Sequence, residues 1–372
     1  MAEAVDAALG AAPPAAHPVL RTALCRLIGI DHPVVQTGMG WVAYPPLVAA
    51  ASRAGGLGIL ASATMDYGEL VGAIAAVKAA TDRPFGVNLR ADAPDAARRI
   101  DLMAAEGVRV ASFAQAPKPE LIARAKEGGM VVIPSIGARR HAEKVAAWGA
   151  DAVIVQGGEG GGHTGQVPTT LLLPQVVDAV GDAVAVIAAG GFFDGRGLVA
   201  ALAYGASGVA MGTRFLLTRE SPVGQAVKDV YLSKTVTDTV VTTQVDGVPH
   251  RVLRSELVDA LEKAGAVRGL VGAARNALAF RRESRTSWGA LVREGLAMRR
   301  SQELSWSQVV MAANTPMLLK AAMVDGRPDL GVMASGQVVG VIDDLPTCAE
   351  LIERIMTEAD AVLTRLTRAG DS

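Results

Sequence analysis

Short, largely apolar runs recur through the first 211 residues, several of them closed by glycine, proline or serine. The runs are Pro33–Thr37, Leu57–Ala61, Pro84–Leu89, Val108–Phe113, Met130–Ile133, Asp151–Val155, Val184–Ala188 and Gly208–Met211. Unbroken apolar character over so few residues fits a strand buried on both faces, as in a parallel sheet covered by helices. Between the runs lie stretches that read as helices: Pro45–Ala54, Glu69–Ala80, Asp95–Glu106, Pro119–Lys126, Arg139–Trp148, Leu171–Val180 and Gly197–Tyr204. Pro119 at a first turn and Gly128-Gly129 past an end carry the expected boundary signals. Strands alternating with helices eight times over predict an α/β fold, a closed (β/α)8 TIM barrel. An open doubly wound sheet is the competing reading, and the regular count of eight disfavours it.

From Arg219 the rhythm breaks. Ser221–Lys234 and Leu257–Arg300 read as helical and more charged, with a Val/Thr-rich piece at Thr235–Val245 between them. The basic pairs Arg281-Arg282 and Arg299-Arg300 read as a solvated helical face. The expected organisation is a barrel over residues 20–218, an inserted helical cap domain over 219–333 that covers the barrel mouth, and a C-terminal segment, 334–372. That last segment returns to the barrel through a helix within Asp343–Arg368. Residues 1–19 are rich in Ala and Pro without the basic and apolar regions of a signal peptide, and they read as a disordered leader.

Composition narrows the function classes. Lys and Arg (36) balance Asp and Glu (37), and aromatic residues make up 4% of the chain, so neither a basic stripe nor a stacking surface for nucleic acid is present. No uncharged apolar run is long enough to span a bilayer, so a cytoplasmic protein without membrane contact is expected. Cys25 and Cys348 are the two cysteines, far apart in sequence. That suits a reducing compartment and structural thiols.

The chemistry gathers where the strands end. The sixth run delivers the chain to Gln156-Gly157-Gly158-Glu159-Gly160-Gly161-Gly162-His163-Thr164-Gly165. Glycines let the backbone approach a ligand closely, and a histidine among them can exchange a proton near neutral pH. A plain surface loop is the bland alternative. Gly160-x-Gly162-x-x-Gly165 matches a dinucleotide fingerprint, but Pro168-Thr169-Thr170 follows it where a helix should open at once. Barrel enzymes place their sites on the loops after the strands, and bind phosphate after the seventh and eighth. Gly190-Gly191 and Gly212-Thr213 stand there. Gly38-Met39-Gly40 follows the first strand, Asn88 and Arg90 end the third, and Ser135 follows the fifth. Asn88 and Gln156 could hydrogen-bond a planar ring. Phosphate donors beside polar ring partners suggest flavin mononucleotide (FMN). No metal site is expected, since His17, His32, His141, His163 and His250 are scattered. A serine hydrolase is excluded by the absence of a Gly-x-Ser-x-Gly elbow.

Together these residues resemble the nitronate monooxygenase (2-nitropropane dioxygenase-like) family of flavin barrels. The matching pieces are Gln36-Thr37-Gly38-Met39-Gly40, Ala54-Gly55-Gly56-Leu57-Gly58, Gly86-Val87-Asn88, Gly158-Glu159-Gly160-Gly161-Gly162-His163, Ala189-Gly190-Gly191-Phe192, Met211-Gly212-Thr213-Arg214-Phe215 and the late Ser335-Gly336-Gln337. The resemblance implies bound FMN held by Gly38, Met39, Gly40, Asn88, Gly161, Gly191, Gly212 and Thr213, with Ser135, Gln156, Gly162 and Gly190 beside them. It implies His163 as the catalytic acid or base. Some members carry a basic residue in place of Ser135 and an acid in place of Gln156, so nitronate chemistry does not follow automatically. Gly86–Asp92, Val132–Gly137 and Ala312–Met317 are similar to a subgroup of steroid-degradation reductases acting on indane-carboxyl-CoA thioesters. That subgroup implies redox chemistry on a ring double bond of a polycyclic CoA ester, with basic cap residues suited to the CoA phosphate. NAD(P)H is a candidate electron partner and would have to reach the same flavin face. A homodimer is a further expectation. Nitronate oxidation with oxygen, and ligand binding without chemistry, remain competing functions.

Overall fold

The structure is a computed structural model that describes residues 17–245, 247–263 and 317–368. All eight apolar runs form strands: β1 (Val34–Gln36), β2 (Leu57–Ala61), β3 (Phe85–Leu89), β4 (Val110–Phe113), β5 (Val131–Ile136), β6 (Ala152–Gln156), β8 (Ala185–Ala189) and β9 (Gly208–Met211). They close into a parallel barrel in that order, β9 returning to pair with β1. The remaining strand β7 (Gly162–His163) lies outside the barrel wall.

Strand alternation sorts the side chains. Val35, Leu57, Ile59, Val110, Val131, Ile133, Ala152, Ile154, Ile187, Ala189 and Ala210 pack as one interior cluster. Leu24, Cys25 and Ile28 of the helix Ala23–Ile28 join it and close the end where the strands begin. The intervening residues, among them Val34, Val153, Val155, Val186 and Val209, pack outward against the helices. Burial raises the Cys25 thiol above its ordinary value and pushes that of Cys348 up to about 12. Both cysteines therefore sit in the protein as protonated apolar groups.

The helix Cys348–Arg368 packs on the helices Gly195–Ala203 and Pro45–Arg53. The approach is close at Gly195, where an added Cβ would lie 2.4 Å from Ile355 O and 2.5 Å from Ala359 N. Both obstacles are backbone. Gly195→Ala should push the two helices apart and cost about 1–3 kcal/mol, measured as a lower melting temperature. An unchanged melting temperature would show that the contact yields freely.

Arg214, 4% exposed, anchors the same segment. Its Nη1 donates to Asp344 Oδ1 at 2.9 Å, and its Nη2 donates to Leu217 O and Asp344 O at 2.6 and 2.9 Å. Arg354 Nη1 donates to the other carboxylate oxygen of Asp344 at 2.7 Å. Burial raises the Asp344 carboxyl, but hydrogen bonds and charge from Arg354 and Arg214 outweigh it and hold the group below its ordinary 3.8. A depressed acid stabilises the fold above its unfolded pKa and loses that contribution as pH falls through the folded value. Asp344→Asn should therefore cost about 1 kcal/mol near neutral pH. The gap to the parent should close as pH drops below about 4. Denaturant melts at several pH values test this, and a gap that is constant with pH would refute it.

Beyond the barrel the described residues of the segment expected as a helical cap include strands, within and beyond its Val/Thr-rich piece. The described part contains the helix Gln225–Leu232 and a hairpin of β10 (Thr239–Thr242) and β11 (His250–Leu253). β7 pairs antiparallel with β11 in the sheet order β10-β11-β7. Thr239-Val240-Val241-Thr242 is β-branched throughout, which suits a pleated strand. The predicted helix after Leu257 is described over 256–263 only. Its continuation, the two basic pairs and Ala312–Pro316 lie outside the described residues, as does 1–16 of the expected leader. Residues 17–19 of that leader are described. Pro18–Leu20 forms a 3-10 turn, and the His17 N–H donates to Asp360 Oδ1 at 2.8 Å.

Candidate active site

Parity along the strands decides what the barrel mouth presents. Residues two beyond the last interior apolar side chains point the same way, which places Thr37, Asn88, Ser112, Ser135 and Gln156 in the top layer. Ser135 was expected in a loop, but β5 runs to Ile136 and pairs Ser135 with Ile154. The strand continues through Pro134, which stands opposite Phe113 of β4. Ser112 escaped the sequence reading. Its signal was the same parity in the run Val108–Phe113, and its Oγ accepts from Asn88 Nδ2 at 3.1 Å. Asn88 in turn packs against Gly38, where an added Cβ would lie 2.5 Å from its own.

The glycine loop after β6 is tied down at four points. Gln156 Nε2 donates to Gly161 O at 3.3 Å and to His163 O at 2.8 Å. Its amide donors thus hold the loop rather than reaching toward a ring, which leaves Oε1 for any ligand. Arg251, on β11, donates twice to Gly158 O at 2.9 and 3.2 Å. Burial lowers the Arg251 guanidinium, opposed by the charge of Glu159. The Gln337 N–H donates to Glu159 O at 3.0 Å. Gly161 meets the backbone of Ser335 and Gly336 so closely that a Cβ would fall 2.5 Å from Gly336 N. Glu159 turns away from the mouth. Its carboxylate accepts from the Thr169 N–H and hydroxyl and caps the helix Thr169–Val180.

The two glycine sites expected to bind phosphate come together at this loop. Gly190 and Gly191 have φ of +87° and +90°, a conformation that favours glycine. Gly190 is packed against Gly157 and Gly160, while nothing lies nearer to an added Cβ on Gly191 than 3.8 Å. The buried Thr213 hydroxyl accepts from the Gly336 N–H at 3.0 Å, so its own proton is left to donate. Gly212 approaches Thr37 and Met39. The helix start nearest Gly191 is already supplied with carboxylates: Asp194 accepts from Gly197 N and Glu358 from Gly195 N, both at 2.8 Å. An anion here would depend on the Gly191 and Gly212 backbone and on Thr213, not on that helix dipole.

These residues fit FMN. Around Gly38-Met39-Gly40, three buried polar atoms have no hydrogen-bond partner among the described residues: Gln36 Oε1, Trp41 Nε1 and Thr64 Oγ1. Unused buried polar groups are rare and ask for an explanation. Among the described residues Trp41 is also the one non-glycine residue with a positive φ, 64°, a costly conformation that concentrates at functional sites. A polar ring above β1 to β6, with its phosphate at Gly191 and Thr213, would lie on the side of Trp41 and Thr64; Gln36 alternates with Val35 and Thr37 and faces the helix layer.

His163 is exposed and stands on β7, opposite His250 of β11. The loop that carries it packs against Gly190 and the late Ser335-Gly336 segment, and Gly336 in turn reaches Thr213. The His163 backbone is held by Gln156 from below and by the cap hairpin from the side. Two grooves among the described residues lie beside the C-terminal helix, lined by Asp344, Arg354 and Glu358. Among the described residues no helix is long and apolar enough to cross a membrane.

Comparison with known proteins places this arrangement. The family model for nitronate monooxygenase matches residues 21–99 and 94–358. The chain is 68% identical over 341 residues to a (3aS,4S,5R,7aS)-5-hydroxy-7a-methyl-1-oxo-octahydro-1H-indene-4-carboxyl-CoA dehydrogenase of Mycobacterium tuberculosis, covering 91% of this chain and 96% of the relative. It is 65% identical over 340 residues to the protein of the same name from Rhodococcus jostii, with the same coverages. The solved structure of FabK from Thermotoga maritima aligns with a TM-score of 0.75 at 34% identity, over 94% of this chain and 99% of the other.

Proposed function

Because the chain belongs to the nitronate monooxygenase family and is an oxidoreductase, we propose that it removes hydrogen from a bicyclic, steroid-derived carboxyl-CoA thioester with FMN as cofactor. The near full-length identity to the mycobacterial and rhodococcal dehydrogenases carries this reading. Their names specify removal of hydrogen, the reverse of the direction in the reductase resemblance drawn from sequence motifs.

FMN, when bound, accepts one hydrogen with its electron pair. The chain's own residues do the rest. Asn88, Ser112, Ser135 and Gln156 Oε1 orient a polar ring over the mouth. Gly191, Gly212 and Thr213 hold the phosphate, and Gly38, Met39 and Gly40 border the ring from β1. His163 takes the proton from a carbon made acidic by the thioester carbonyl, and can return it in the reverse direction. The hairpin of β10 and β11, with the rest of the cap, covers the mouth and excludes water. NAD(P)H, if it exchanges electrons with the flavin, would use that same mouth.

The test is the visible spectrum of the purified chain, followed by anaerobic addition of a perhydroindane-carboxyl-CoA ester. A flavin spectrum that bleaches with the ester supports the reading. A colourless protein that takes up no FMN overturns it. Bleaching by alkyl nitronates, with oxygen consumption and no response to CoA esters, would assign the family's name reaction instead.

A further inference from the structure

His163 and His250 face each other across the ladder between β7 and β11. The Thr164 N–H donates to Pro249 O at 3.1 Å, one residue outside this pair. That bond makes 163 and 250 a non-hydrogen-bonded antiparallel pair, the type whose side chains lie closest. The ring centroids are 4.7 Å apart, with the planes tilted by 47°. The two rings differ in setting. His250 is 3% exposed and sits mid-sheet, with Thr242 of β10 on its other side, whereas His163 is exposed.

This difference matters for proton transfer. Gln156 and β11 hold the main chain at His163, but a proton is received at a ring nitrogen, whose place depends on side-chain torsions. An exposed imidazole explores several rotamers. A buried ring packed against it removes some of them at no further cost in ordering, because the buried ring is already fixed. We infer that His250 is a positioning residue, a fixed wall that aims the His163 ring toward the barrel mouth. The inference rests on the reading of His163 as the acid or base. The proposed influence of His250 runs through the ring of His163, which it faces.

The experiment uses the full chain with flavin bound. His250→Ala lowers kcat about 10- to 100-fold, the scale expected for a misaimed group, with KM and flavin content unchanged. His250→Phe, which keeps a ring, restores most of the rate. Adding His250→Ala to His163→Ala changes kcat little, since residues acting as one unit are not additive. With five histidines in the chain, the His163 ring C–H resonance can be followed by NMR. It should shift in His250→Ala and return toward its parent position in His250→Phe. Parent-like turnover in His250→Ala, failure of His250→Phe to recover, or an equal loss in the His163→Ala background would each overturn the inference. These outcomes are distinct from failure of the underlying reading: a fully active His163→Ala removes the acid–base role itself, whereas a slow His163→Ala beside a fully active His250→Ala removes the positioning role alone.

Discussion

Replacing His163 by alanine should slow the reductive half-reaction by about 10²–10⁴-fold, the usual contribution of a placed general acid or base, while the protein stays yellow. The second part of that expectation follows from the geometry. The His163 side chain is exposed, on a two-residue strand outside the barrel wall. The contacts that knit the loop to the rest of the mouth are made by backbone, through Gly158 O, Glu159 O, Gly161 and His163 O. Removing the ring leaves these in place. Anaerobic stopped-flow reduction by the CoA ester separates the possibilities. A slow but flavin-loaded variant supports the acid–base role, and flavin loss with normal chemistry in reconstituted enzyme would make His163 a binding residue.

Gly161→Ala should act in the opposite way, abolishing flavin retention. Its Cβ would fall 2.5 Å from both Gly336 N and Ser335 C, and neither obstacle can rotate aside. The loop and the late segment must separate, which also withdraws the Gly336 N–H from Thr213 Oγ1. A loss of about 3 kcal/mol weakens binding more than a hundredfold, enough for the protein to emerge without flavin. Gly129→Ala is the control. It too is strained, with φ +77°, but nothing lies within 4 Å of its added Cβ. It should cost about 1–2 kcal/mol of stability and leave flavin content alone. Equal flavin content in the two variants would refute the role given to the 161–336 contact.

Both variants were open to design because the sequence exposed the loop. What it could not reveal was which atoms the loop touches. Gly161 and Gly336 are 175 positions apart by number, and neither carries a side chain whose chemistry signals the other. Gln156 illustrates the same limit. As an amide ending an interior-facing strand it was a fair ring partner, yet its donors turn to Gly161 O and His163 O. Glu159 reads as part of the mouth and instead caps a helix through Thr169.

The barrel was legible because its signal is local and repeated. Each strand is a short apolar run, and burial on both faces demands that run whatever the neighbours are. The strand ends follow from the same architecture, so Asn88, Gln156, Gly191 and Thr213 could be proposed as site residues from the sequence. The cap was less legible. Val240 and Val241 mark a strand only once a partner exists, and β7 consists of a glycine and a histidine with no strand pattern of their own. Pairing energy comes from residues remote in sequence, so the sheet that brings His250 beside His163 was decided by the tertiary fold. The chain's own order of residues determined the barrel and marked the loop that carries His163, because periodic burial and local chemistry are written in consecutive positions. The tertiary structure decided what stands beside that histidine, because long-range backbone contacts leave no mark on the residues that make them.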